Sequence, residues 1–320
     1  MQAETDIVPT TSVLGIHHAT LVVSDLAAAE QFYRSTQLTV AEGEVFRQAG
    51  FNQPVKSVKL MAPNGCLELQ QYAPSIARQP LPVVGPGITH ACFQAPADQG
   101  LYQQLVAGGA DPVSVGEPPI DLNGAGVRYA YARDPDGSMF EVEELDQPKF
   151  TGPIWLAHIA LVTPDIDRAV AFYQQLLGVK PYGRVNKIVG PKFDQVTGLS
   201  NVRIRAAWFN VGNMVLEFWE FVQPVTPSER VKKPIAQVGY GAFSIEVDDL
   251  DGEIARLDSE QLQLKATLLE GNGMRGVTLA DPDGNLLHLV ETTSKAQTRV
   301  LDFAMMPWLP APAWPDSVVA

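Results

Sequence analysis

Cationic residues are the first shortage: 23 Lys and Arg stand against 36 Asp and Glu, a formal net charge of −13. Phosphate backbones and anionic membrane surfaces both demand clustered Lys and Arg, so neither nucleic acid nor membrane is an expected partner. Cysteine is almost absent. Cys66 and Cys92 are too few for a disulfide framework, so reduced thiols and a cytoplasmic location are expected. No stretch approaches the ~18 unbroken apolar residues of a membrane span. The opening MQAETDIVPTTSVLG lacks the basic-then-apolar order of a secretory signal. A Ser-His-Asp arrangement, a P-loop and a dinucleotide fingerprint are all missing. Histidine is scarce as well, at five residues, and their placement is informative.

Those histidines fall on a repeat. LGIHHATLVVSDLAAAEQFYRSTQLTVAEG (14–43) aligns with IWLAHIALVTPDIDRAVAFYQQLLGVKPYG (154–183), so His18 meets His158 and Asp25 meets Asp165. GFNQPVKSVKLMAPNGCLELQQY (50–72) resembles the stretch from Gly198 to Phe221, with Glu68 against Glu217. Each half divides again. GITHACFQ (87–94) meets GYGAFSIE (239–246), setting Ala242 against His90. ARDPDGSMFEVEEL (132–145) meets LADPDGNLLHLVET (279–292), setting His288 against Glu141. The chain reads as four units in two halves, 13–146 and 154–293, joined by a polar, proline-bearing linker at 147–153. Residues 1–12 read as an unstructured tail. The proline-rich 294–320 reads as a segment packed along a surface, an oligomer contact or a lid.

Local pattern gives the elements. HATLVV and HIALVT are short, apolar and β-branched, hence strands. Leu26, Ala29 and Tyr33, like Ile166, Ala169 and Tyr173, keep helical spacing. Thr163 before Pro164 is the expected start of the second helix and Gly178 its stop. The two Asp-Pro-Asp-Gly runs are expected hairpin turns.

Residues two apart on a strand share a face. Cys66, Glu68, Gln70 and Tyr72 therefore point one way, as do His90 with Cys92 and Glu141 with Glu143. A carboxylate turned inward is costly unless paired or bound to a cation. Imidazoles and carboxylates arriving from different strands suit a divalent ion of the Fe, Mn, Co, Ni or Zn group. By the same alternation His17 faces the helix side. Glu143, Glu144 and Asp146 read as a solvated acidic edge, and Glu220 and Glu246 as surface charges. The sizes of any cavities depend on the loops 111–126 and 184–198.

H-x-x-L-V-V-S-D-L with F-Y on the following helix, L-E-L-Q-Q-Y, G-I-T-H and D-P-D-G-S-M-F-E form an ordered set that occurs twice, the second time with changes. In this the chain resembles the vicinal oxygen chelate superfamily over roughly residues 13–292. The resemblance implies an α+β fold in which four βαβββ modules pair into two cupped mixed sheets with helices outside. It implies one divalent metal, with ligands His18, Glu68, His90 and Glu141 in the first half. The second half offers His158, Glu217, Ala242 and His288. Alanine cannot ligate, so that site reads as degenerate. If modules pair across the halves instead, His90 and Glu141 join His158 and Glu217. Either pairing keeps His90 and Glu141.

Three functions follow. The first is a metal-dependent isomerase or lyase that chelates vicinal substrate oxygens while Glu68 or Glu141 moves a proton. Glutamate at the position of Glu68 is, by the resemblance, the mark of glyoxalase-type members. The second is an extradiol ring-cleaving dioxygenase with a His18, His90 and Glu141 triad on Fe(II). The third is a non-catalytic small-molecule binder. The expected partner in each is a small molecule, and a homo-oligomer is compatible with the sequence.

Overall fold

Hydrophobic patterning of the four repeats resolves into four strand–helix–strand modules. The computed structural model describes residues 10–43, 47–48, 55–228, 233–260, 268–271 and 273–306. The first module holds β1 (Val13–Val22), α1 (Leu26–Tyr33), β2 (Thr39–Glu42), β3 (Arg47–Gln48), β4 (Val55–Ala62) and β5 (Gly65–Tyr72). The second holds β6 (Gly87–Pro96), α2 (Leu101–Ala107), β7 (Asp111–Pro112), β8 (Ile120–Asp121), β9 (Val127–Arg133) and β10 (Met139–Leu145). The third holds β11 (Trp155–Val162), α3 (Ile166–Leu177), β12 (Gly183–Ile188), α4 (Pro191–Thr197), β13 (Arg203–Asn210) and β14 (Val215–Gln223). The fourth holds β15 (Gly239–Val247), α5 (Leu250–Ser259), β16 (Leu268–Gly271), β17 (Met274–Ala280) and β18 (Leu286–Thr292).

The modules pair across the halves. One sheet runs β2-β4-β5-β1-β15-β18-β17-β16-β3 and joins the first module to the fourth. The other runs β12-β13-β14-β11-β6-β10-β9-β7 and joins the second to the third. The halves 13–146 and 154–293 are therefore not the sheet-forming units. The seams explain it: β1 lies antiparallel to β15, and β11 antiparallel to β6.

Each sheet has a helix face and an opposite face, which we call its cup. The helix faces share one apolar core, in which Leu21, Leu67, Phe93, Leu216 and Phe243 pack with Tyr33, Tyr173 and Leu257 of the helices. Each fully buried Leu or Phe is worth about 1.5–3 kcal/mol, so this core dominates stability. The helices begin on carboxylate caps: Asp25 Oδ1 accepts from Ala28 N and Asp165 Oδ1 from Arg168 N. Asp165, not Thr163, is thus the cap of α3. Thr163 Oγ1 instead accepts from Asp165 N at 3.2 Å. Gly178, at φ +64°, ends α3 as expected. In the first Asp-Pro-Asp-Gly turn Asp134 Oδ1 takes the amides of Asp136 and Ser138, and Tyr33 Oη donates to its Oδ2.

Several surface assignments are corrected. Glu143 and Glu144 are 4% exposed, not a solvated edge. Gln94 Nε2 donates to Glu143 at 2.6 Å, and the Tyr102 amide of α2 donates to Glu144 at 3.2 Å. Glu246 is buried and accepts from Thr292 Oγ1 and Val300 N. Ser12, at the edge of the expected tail, is tied to Glu253 through its amide and hydroxyl; residues 1–9 lie outside the described residues. Of the C-terminal segment, 294–306 is described. Val300 is buried, and Ala304 and Met306 amides donate to Pro63 and Gly212 carbonyls. The remainder, 307–320, lies outside the described residues. No helix among those described is long and apolar enough to cross a membrane.

Candidate metal centre

Four neighbouring strands, in the order β14-β11-β6-β10, each bring one ligand-type side chain to the cup of the second sheet. Their register aligns them: Ala160 opposes Glu217 on one side and His90 on the other, and Cys92 opposes Glu141. A bulge completes the set. Leu156 pairs with Phe93 and Ile159 with Ala91, so Ala157 and His158 together face one residue of β6. Leu156 and Ile159 both enter the helix-side core. The extra residue turns His158 to the cup, as bulges beside functional sites commonly re-aim side chains.

One donor atom from each of His90, Glu141, His158 and Glu217 lies within 4.8 Å of all the others, and all four residues are buried. His158 Nε2 stands 2.8 Å from Glu141 Oε2 and 3.3 Å from Glu217 Oε2. His90 Nε2 is 3.2 Å from Glu141 Oε2 and 3.4 Å from His158 Nε2. Glu217 is held through its other oxygen, on which Trp208 Nε1 donates at 2.6 Å. Its buried Oε2 has no donor aligned on it. Thr89 orients His90. Its hydroxyl hydrogen goes to Ala160 O at 3.2 Å, so the oxygen accepts from His90 Nδ1–H at 3.0 Å. That contact fixes the ring so that Nε2 points into the cluster.

The electrostatics fit a cation. Among the described residues no Lys or Arg pairs with Glu141, Glu143 or Glu217. Burial alone would raise the Glu141 carboxyl, but hydrogen bonds from His158 and His90 outweigh it and hold the pKa low. Burial alone would lower His158, but Glu217 and the hydrogen-bonded Glu141 outweigh it and hold that imidazole well above its usual range. Glu143 is pushed up, mainly by burial. Mixed imidazole and carboxylate donors, an unsatisfied buried oxygen and a surplus of negative charge are what a divalent ion of the Mn-to-Zn series would neutralise. The residues fit such an ion. Cys92 and Glu143 extend the donor set behind Glu141 and His158.

The first sheet holds the other cup. There β1 and β5 bring His18 and Glu68, while β15 and β18 bring Ala242 and His288. His18 Nε2 is 3.4 Å from Glu68 Oε2 and 3.3 Å from Ser244 Oγ. His288 Nδ1 is 3.0 Å from Thr278 Oγ1. Among the described residues they do not form a ligand cluster of the kind in the second sheet. Lys59, 1% exposed, stands directly across from Glu68 and reaches Thr298 Oγ1 at 2.6 Å. Burial, then His17, Lys59 and His288, push the His18 pKa well down. Burial takes His288 down to about 4. A cleft of about 490 Å³, partly open to solvent, runs past His18, Gln70, Tyr72, Ala242 and His288.

The expected set of His18, Glu68, His90 and Glu141 is therefore split. His90 and Glu141 meet His158 and Glu217; His18 and Glu68 lie on the other sheet. Glu68 is not at the complete cluster, and its repeat partner Glu217 is. His288 also belongs to the incomplete cup. His17 does not face the helices. A bulge between Ile16 and His18 turns it beside His18, Nδ1 to Nδ1 at 2.7 Å, with Nε2 on Thr298 O.

Sequence reasoning missed Tyr131 and read Trp219 only as core or pocket wall. Tyr131 lies opposite Glu141 across β9 and β10, with its ring centroid 5.0 Å from that of His90. Its hydroxyl is buried without a partner, and so is Trp219 Nε1 on the strand that carries Glu217. Phe193 and Val196 of α4 pack in the same cup, Phe193 at 5.4 Å from Trp219 between centroids. The alternation of tyrosine with alanine in VRYAYAR was the available signal for Tyr131.

Known proteins share this architecture. The model of the Glyoxalase/Bleomycin resistance protein/Dioxygenase superfamily matches residues 15–142 and again 155–289. Lactoylglutathione lyase GLX1 of Arabidopsis thaliana is 25% identical over 207 residues, covering 63% of this chain and 65% of that protein. The chain thus spans just under two thirds of the length of that relative. The crystal structure of glyoxalase I from Zea mays aligns with a TM-score of 0.59 at 19% identity, covering 88% of this chain and 92% of the other. That likeness establishes the fold.

Proposed function

The chain belongs to the Glyoxalase/Bleomycin resistance protein/Dioxygenase superfamily, and from that premise we propose that it is a metal-dependent lyase or isomerase acting on a small molecule with vicinal oxygens. One observation carries the reading: four buried donor atoms from His90, Glu141, His158 and Glu217 converge within 4.8 Å. A divalent ion held there would supply Lewis-acid polarisation of two vicinal substrate oxygens, which acidifies a C–H on the carbon next to the polarised carbonyl.

The chain's own residues supply the rest. Glu141 and Glu217 reach the centre from the outer two of the four strands, so they flank a substrate from opposite sides. Each is placed to take a proton from one carbon or return it to the next. Glu217 Oε2 is the more available, because Trp208 fixes Oε1 and nothing donates to Oε2. Tyr131 Oη and Trp219 Nε1 are donors waiting for acceptors, and substrate oxygens are the natural ones. Phe193 over Trp219 keeps water from the centre. His90, Glu141, His158 and Glu217 would hold such an ion, and a fourth protein ligand would leave less room on it for substrate oxygens. A dioxygenase needs a further position for dioxygen, so Glu217 weighs against that chemistry.

The name of the plant relative makes the hemithioacetal of methylglyoxal and glutathione the first substrate to assay. Turnover by the cobalt- or nickel-loaded chain under anaerobic conditions supports the reading. Oxygen consumption with a catechol, and none of the former activity, would replace it with ring cleavage. Glu217→Gln should keep metal yet lose ~10²–10⁴-fold in turnover.

A further inference from the structure

Two cations stand together where acids are plentiful. Arg78, from the loop before β6, lines a cleft of about 330 Å³ between the two sheets, with Ser138, Thr89, Met139 and Gly239; Lys233, from the segment before β15, reaches the Gly239 side of it. The sheets touch there, for Tyr240 Oη of β15 accepts from Ala91 N of β6 at 3.0 Å. A methyl group placed on Gly239 would lie 3.5 Å from Lys233 Nζ, 3.8 Å from Arg78 Nη1 and 3.9 Å from Ser138 Oγ. Three donors of different strands and loops thus surround one point, and that point is open because the residue beneath it is glycine. Gly239 sits at φ +107°, a conformation other residues rarely adopt.

Among the described residues no carboxylate pairs with these charges, and neither Arg78 nor Lys233 has an ion-pair partner, in a chain with 36 acids and 23 bases. Asp136 borders the cleft, but its carboxylate is taken by the Ser24 amide and hydroxyl. Lys233 gives one hydrogen to the Tyr240 carbonyl and keeps others to give. The walls are braced, since Arg133 donates to the carbonyls of Leu81 and Gly137. Like charges held side by side and half-buried are costly, and the cost is visible: burial and then Arg78 push Lys233 down to about 7.

We propose that this cleft binds a small oxyanion, the phosphate or carboxylate group of a small molecule, through Arg78, Lys233 and Ser138. Guanidinium and ammonium donors give charge-assisted hydrogen bonds to such a group, and the anion relieves their mutual repulsion. The inference does not depend on the metal reading. It bears on it, because Thr89 lines the cleft and also orients His90.

Isothermal titration of the full chain with sodium sulfate at pH 6 and constant ionic strength tests the proposal. One saturable site is expected. Arg78→Gln and Lys233→Gln should each weaken it by about tenfold or more, while Arg78→Lys retains more affinity than Arg78→Gln. Sulfate should raise the Tm of the wild type and of Arg78→Lys, but not of Lys233→Gln. Tighter binding of phenyl phosphate than sulfate supports a site for an ester tail; equal binding supports one for the free ion. Absence of saturable sulfate binding to the wild type, or equal binding by both Gln variants, overturns the proposal. Cobalt loading measured alongside stays unchanged in the variants, so failure of the anion site is distinguished from failure of the metal centre.

Discussion

The two cups descend from one repeat and solve the same electrostatic problem differently. In the second sheet Glu141 and Glu217 face imidazoles alone, and no Lys or Arg among the described residues pairs with them. In the first sheet Glu68 has Lys59 directly across the ladder, buried beside it. One cup sets only imidazoles against its carboxylates, and the other places a buried lysine across the ladder from its glutamate. Ala242 in place of His90 and His288 in place of Glu141 complete the contrast, since each removes part of a ligand set. Buried carboxylates in a repeat need compensation, and the source of that compensation decides which copy can be a metal centre.

Breaking the complete cup should have the largest effect. His90→Ala or Glu141→Ala should lower cobalt affinity at least about a hundredfold, beyond the 10–100-fold typical of outer-shell partners. His18→Ala should leave affinity within about twofold. Equilibrium dialysis measures both, and equal losses in the two cups would erase the distinction. Removing that buried lysine comes next. Lys59→Met should cost about 1–3 kcal/mol of stability, because it removes the donor to buried Thr298 Oγ1 and the buried charge across the ladder from Glu68, and Lys59→Met with Glu68→Gln should recover part of it. A denaturant series in which the double variant is no better than the single would show that the lysine serves some other purpose.

A third test concerns protons. The carboxylates keep His158 protonated at neutral pH, whereas a ligating imidazole must be neutral. Metal binding at pH 7 should therefore release a proton, and affinity should fall as pH falls. Calorimetry in buffers of different ionisation enthalpy reads the number released. The incomplete cup should respond to pH in its own way. His288 is held neutral in the fold, down to about 4 from an ordinary value near 6.5. The unfolded chain binds the proton first, so this contribution to stability is present above pH 6.5 and lost as pH falls toward 4. His288→Gln should flatten that part of the stability curve. The smallest effect is expected from Tyr131→Phe. Losing one hydrogen bond to substrate should reduce kcat/KM by about tenfold while metal content stays constant.

Much of this was legible in the chain. The fourfold repeat placed His18, His158, Glu68 and Glu217 at matching positions, and strand alternation put His90 with Cys92 and Glu141 with Glu143 on single faces. Pairing was not legible. The same edge residues of β1 and β11 suit either partner, and the choice rests on long-range contacts such as Leu156 against Phe93. Bulges were equally hidden, because one extra residue leaves no compositional mark; His17 was misplaced for that reason. Glu143, Glu144 and Glu246 read as surface because their partners, Gln94, the Tyr102 amide and the Val300 amide, are 42 to 54 residues away. The cleft of Arg78 and Lys233 went unseen because the two cations come from different modules.

The central claim is that the sheet built from the second and third modules, not the sheet built from the first and fourth, holds the ion. Anomalous diffraction from crystals of the cobalt-loaded chain tests it most directly. A single strong peak among His90, Glu141, His158 and Glu217 is predicted. A peak beside His18, Glu68 and His288, or none in either cup, would contradict the account.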